Sequence, residues 1–356
     1  AETVFGEKVT AQPGRSGAAV FADWLTSPSN PRFTRVIVNR LWAQLFGAAL
    51  VPPPLDELRD DTTAWNPELE ARLIGLMKDQ QYDVRGFLAV IMKSKAYQRC
   101  CLTQEYQPGE PVRFAAPFLR RMSAEQVWDS MVTLIVDDPE RPMIRRQIYR
   151  TRYLADLRSR AAKIDGSPER VAAWLRSGEG RQFVAARGRE KTPEAGEQIQ
   201  SLQDASDREF AALDRLKSTQ PNRSEEFAEW KSLHHQLYRA SELESPAPRG
   251  HFLRTFGQSD RMQISNANRD ASAPQALAAM NGELTAGVAN PFSHLARAAQ
   301  KGTDPRERLE TLYLGILGRF PTTREAEKLL PLLQESDGIS FVSSVLLNCT
   351  EFLFIQ

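Results

Sequence analysis

One stretch constrains this chain more than any other, NPRFTRVIVNRLWAQLFG at residues 30–47. Asn30 is placed to cap a helix and Pro31 stands at its first position, where a missing N–H costs nothing. Phe33, Ile37, Leu41 and Leu45 recur at helical spacing, with Val36, Val38 and Phe46 widening the stripe, and Gly47 is placed to close the helix. Arg32, Arg35, Asn39, Arg40 and Gln44 fall off that stripe. A helix so apolar on one side requires neighbours to bury it.

Neighbours of the same kind follow. Asn66-Pro67 repeats the cap-and-proline start, ahead of Leu69, Leu73, Leu76 and Met77. Asp83 opens a third helix carrying Phe87, Leu88, Ile91 and Met92. Ser123 with Gln126 reads as a capping box before Val127, Trp128, Met131, Val132 and Ile135. Strand alternation is absent from all of this, so the expected fold class is all-α.

From 151 to 245 the texture changes. Sixteen basic and sixteen acidic residues make a third of that stretch charged, against 26% overall. Thin apolar seams remain at Ile199, Leu202, Phe210, Leu213 and Leu216, and at Phe227, Trp230, Leu233 and Leu237, with the turn signal Pro221-Asn222 between them. The expectation is an inserted, charged helical hairpin at 151–245, removable without loss of the fold. Residues 1–16 read as a linker or arm, and 17–150 with 246–356 as one discontinuous multi-helix core. In its second half, Ser272 with Gln275 and Thr322 with Glu325 read as capping boxes, Gly282 as a helix end, and 339–354 as a final apolar helix.

Composition narrows the function classes. A formal net charge of +1 argues against a chain built to bind nucleic acid. No apolar run approaches the roughly 20 residues that span a bilayer. Ala1-Glu2-Thr3-Val4 does not begin a signal peptide, and the start reads as a cut from something longer. Cys100, Cys101 and Cys349 do not make a disulfide framework and are expected to be buried thiols. No haem or zinc motif is present, so no cofactor and no metal site is expected. His234-His235 reads as a surface pair, and Asp56, Glu57, Asp60 and Asp61 as a solvated acidic loop without EF-hand spacing.

Taken together, these segments resemble the planctomycete-specific PSD domain, a domain of unknown function. The resemblance rests on ADWLTSPSNPRFTRVIVNRLWAQLFG, NPELEARL, YDVRGFLAVIMKSKAYQ, RRMSAEQVWDSM, FLRTFGQSDR, NANRDASAPQALAAMNG, LYLGILGRFPTTREAE and LLNCTEFLFIQ. It implies export to the periplasm or cell surface, and a place C-terminal to PSCyt modules, named for planctomycete cytochrome-c-like sequences. Those neighbouring modules are then the expected partners. The family supplies no reaction and no catalytic residues, so catalytic residues stay unknown.

The residues themselves offer one candidate site, the polar stretch with Arg254, Gln258, Asp260, Arg261, Asn266, Asn268, Arg269 and Asp270. Asn, Asp and Arg satisfy the backbone of a buried loop, so one reading is a hydrogen-bonded lock within the core. The other is a pocket gripping a polar or carbohydrate ligand through Arg forks and Asn amides. The functional expectation is therefore a non-catalytic helical interaction or ligand-binding module. The alternative is a polysaccharide-active hydrolase or lyase using Asp260 and Asp270, or Asp60 and Asp270, as its carboxylate pair.

Overall fold

A computed structural model describes residues 16–51, 58–59, 61–103, 110–140, 144–163, 167–186, 193–258 and 272–355. Among these, seventeen α-helices and one two-stranded sheet make the fold all-α. The contacts divide the chain into two units, 1–121 with 354–356, and 122–353.

The first unit holds α1 (Gly17–Leu25), α2 (Phe33–Phe46), α3 (Pro67–Asp79) and α4 (Val84–Met92). Its core joins Val38, Trp42 and Phe46 of α2 to Leu73 and Met77 of α3, Phe87 and Ile91 of α4, and Phe114. Trp42 stacks on Phe46 with ring centroids 3.9 Å apart, and Phe114 meets Trp42 edge-on at 5.3 Å.

The buried face of α2 is displaced by one residue from the expected stripe. It runs through Thr34, Val38, Asn39, Trp42 and Phe46, while Phe33, Ile37, Leu41 and Leu45 are only partly buried. The cause is polar. The Asn39 carboxamide oxygen accepts the backbone N–H groups of Leu50 at 2.9 Å and Val51 at 3.3 Å, pinning the chain that follows the helix. That duty draws a residue off the apolar stripe into the interior. Asn30 does cap the start, accepting from Arg32 N at 2.9 Å and Phe33 N at 3.2 Å. Gly47 ends the helix in the left-handed region at φ 78°, a conformation that favours glycine.

The end of the chain is not helical to 354. The last helix, Gly338–Leu347, gives way to a 3-10 turn at Thr350–Leu353. Phe354–Ile355 then forms β2, antiparallel to β1 (Arg120–Arg121), with Arg120 opposite Ile355 and Arg121 opposite Phe354.

The second unit carries α5 (Ala124–Ile135), α6 (Ile144–Lys163), α7 (Pro168–Arg176), α8 (Gly178–Ala186), α9 (Pro193–Lys217) and α10 (Ser224–His234). After them come α11 (Phe252–Thr255), α12 (Ala273–Asn281), α13 (Glu283–Ala289), α14 (His294–Gln300), α15 (Pro305–Leu317), α16 (Thr323–Leu329) and α17 (Gly338–Leu347). One large core unites α5, α10, α13, α14, α15 and α17.

Part of the stretch 151–245, expected as an inserted hairpin, packs into this core. Phe227, Trp230, Leu237 and Ala240 sit in the main core with α5 and α13. Helix α9 pairs chiefly with α6, and α7 with α8, instead of α9 folding back on α10 alone. A narrow seam on a charged helix was read as low burial. Two large aromatics on α10 bury enough surface to anchor the helix regardless of its charged flank.

The capping residues follow the sequence in most places. Ser123–Gln126 and Thr322–Glu325 form complete capping boxes, and Asp304 accepts from the N–H groups of Arg306 and Glu307. Ser272–Gln275 does not. The Ser272 side chain makes no capping bond, and Gln275 is buried instead, its side-chain oxygen without a hydrogen-bond partner among the described residues.

Candidate functional site

The second unit contains an open groove of about 540 Å³ between α10 and α13. Residues Ala228, Glu229, Trp230, Ser232, Leu233 and Gln236 form one wall, and Glu283, Ala286, Gly287 and Asn290 the other. Glu229, Ser232 and Leu233 on α10, and Glu283, Ala286 and Gly287 on α13, recur at spacings of three and four residues, so the groove follows both helices, with Gln236 and Asn290 just past their ends, for about two turns, roughly 10 Å.

Local packing explains why it exists. Gly287 lets α13 approach closely, since a Cβ there would collide with the side chain of Leu233 and lie 3.0 Å from Ile135 Cδ1. Below, Trp230 is almost wholly buried and donates from its indole N–H to the Ile135 carbonyl at 3.3 Å. Asn290 ties the walls together: its amide donates to the Glu226 carbonyl at 2.9 Å and its oxygen accepts Phe292 N at 2.9 Å. Leu233, Ala286 and Gly287 make the floor apolar. Ser232, Gln236, Glu229 and Glu283 make the rim polar and acidic.

Lys231 of α10 and Arg297 of α14 face other partners. Lys231 pairs with Asp214 at 2.5 Å. Arg297 lies over the Trp230 ring, 5.9 Å from its centroid, and pairs with Asp137 at 2.6 Å. Asp137 also meets His294 Nδ1 at 2.8 Å. Burial pushes the Asp137 carboxyl up, and the hydrogen bonds from His294 and Arg297 outweigh it, leaving its pKa below the ordinary value.

The sequence-derived polar site is described at two of its eight residues. Arg254, on α11, is exposed. Gln258 is buried, and its side-chain oxygen accepts Ala247 N at 2.9 Å, which is a backbone-holding role. Asp260, Arg261, Asn266, Asn268, Arg269 and Asp270 lie outside the described residues, as do Asp56, Glu57 and Asp60. The His234-His235 pair is not a surface pair: His234 is buried against Trp230, ring centroids 4.9 Å apart. The thiols are not buried as expected either. Cys100 is exposed, Cys101 and Cys349 are partly exposed, and all three are free. Among the described residues no group of three His, Cys, Asp or Glu could hold a metal ion, and no helix is long and apolar enough to cross a membrane.

The strongest charge cluster is a staple. Arg319 grips Glu351 through Nε at 2.6 Å and Nη2 at 2.7 Å, and Glu325 through Nη1 and Nη2 at 2.9 Å. It joins the end of α15, the start of α16 and the turn at Thr350–Leu353. The Arg319 hydrogen bonds hold the Glu325 carboxyl down at about 2, against an ordinary 4.5. A depressed carboxyl pKa contributes stability that is fully present above about 4.5 and is lost as pH falls toward about 2. Arg319→Gln is accordingly expected to lower Tm at pH 7, the gap from wild type closing between pH 4.5 and the acid limit. Melting curves across that range check it; a gap independent of pH would remove Glu325 ionisation from the explanation.

A family model described as PSD1, protein of unknown function (DUF1553), matches residues 18–333. No curated protein matches the chain, and no solved structure matches it.

Proposed function

This chain belongs to the PSD1 family of proteins of unknown function (DUF1553), and we propose that it acts as a non-catalytic helical interaction module of a larger, exported multi-domain protein. The observation that supports this reading is the α10–α13 groove: an apolar floor with a polar rim, open along its length, set on two helices anchored in the core. Such a groove receives a short polypeptide segment. A neighbouring module of the same polypeptide is the partner that the family resemblance implies, and export comes from the same resemblance. Of the polar stretch, Gln258 takes a structural role in this proposal, on the strength of the bond from Ala247 N to its side-chain oxygen.

The test fills the groove. Ala286 is an exposed residue of the apolar floor, so Ala286→Trp occupies the space without opening the core. Twelve-residue peptides from a displayed library are selected on the wild-type chain and re-measured on Ala286→Trp. The reading requires peptides whose binding that substitution abolishes. Peptides held equally by both proteins, or no peptide at all, contradict it.

A further inference from the structure

We propose that the groove is built for a cationic side chain, a lysine or arginine of the bound segment, with Glu229 and Glu283 as the residues that select it. This rests on the groove being a peptide site and names the chemistry it recognises. Three observations point the same way. Among the described residues, the only charged ones lining the groove are carboxylates, one on each wall. Neither forms an ion pair or hydrogen bond among the described residues, whereas Lys231 and Arg297 nearby are taken up by Asp214 and Asp137. Between the walls, Leu233, Ala286 and Gly287 give an apolar bed with little side-chain bulk.

That arrangement matches the two-part chemistry of a long basic side chain. Its methylene stem lies along apolar surface while the charged head stays in a wet, polar rim. An acidic segment would meet two like charges, and a neutral apolar one would leave both carboxylates partly desolvated without compensation. The small residues matter for reach, because they let the incoming backbone come near enough for the head to arrive between the two walls. Exposed carboxylates of this kind set partner choice and salt dependence more than total affinity.

The test uses synthetic pairs: each peptide recovered from the library, and its counterpart with every Lys and Arg replaced by Gln. Binding is measured to wild type and to the double variant Glu229→Gln/Glu283→Gln at two exposed positions, whose Tm is expected to match wild type and is checked by melting. The expected result is a preference for the basic peptide of about fivefold to tenfold on wild type, weakening at high salt. On the double variant the preference disappears. Peptides excluded by Ala286→Trp but bound alike by wild type and the double variant would overturn the cationic inference and leave the groove standing. Peptides indifferent to Ala286→Trp would overturn the groove itself.

Discussion

Trp230→Ala is expected to destabilise the second unit by about 3–5 kcal/mol, the range for emptying a buried aromatic site. The side chain is about 1% exposed, packs among Phe227, Phe292 and His234, and hands its indole proton to the Ile135 carbonyl. Removing it leaves a cavity between α5, α10 and α13 and strips that carbonyl of its side-chain donor. Urea unfolding of the variant measures the loss. A change under about 1 kcal/mol would mean that α10 is a peripheral attachment, as the charge-rich texture of 151–245 implies when read alone. The same reasoning bears on deletion. Shortening all of 151–245 removes Leu213, Phe227, Trp230, Leu237 and Ala240 from the core, so that truncation is expected to aggregate where the sequence suggested a soluble remnant.

Gly282→Ala is expected to cost up to about 3 kcal/mol, at the upper end of the range for overpacking. Gly282 joins α12 to α13 at φ −76°, an ordinary conformation, so left-handed backbone is not the reason for glycine here. The reason is space: a Cβ at this position would run into the backbone oxygen of Ala278. Backbone cannot swing aside as a side chain can. The corner is further held by Thr285, whose hydroxyl donates to the Ala279 carbonyl at 2.5 Å. Thermal melting checks the effect, and a wild-type Tm would show that the corner opens freely.

These two residues also mark what the sequence could and could not reveal. Helix starts were legible because capping is local: Asn66, Ser123 and Thr322 each bond to an N–H group three residues away. Gly282 was legible as a boundary for the wrong physical reason, since a collision with a carbonyl is a three-dimensional fact. Asn39 falls off the apolar stripe, and nothing local shows its burial, because its partners, Leu50 and Val51, lie beyond the helix it belongs to. Trp230 was visible as part of a seam, but its depth depends on α5 and Phe292, far away in sequence. The groove had fainter signals still. Ala228, Ala286 and Gly287 are unremarkable one at a time, and only a glycine inside the helical run ELTAGVA hints at close helix approach.

The most direct measurement of the central claim is hydrogen–deuterium exchange of the chain with and without a selected basic peptide. Exchange is expected to slow in α10 and α13, the helices that form the groove. Slowing confined instead to 252–258 and 272–281, with α10 and α13 unchanged, would contradict it and move the binding site to the flanks of the polar stretch.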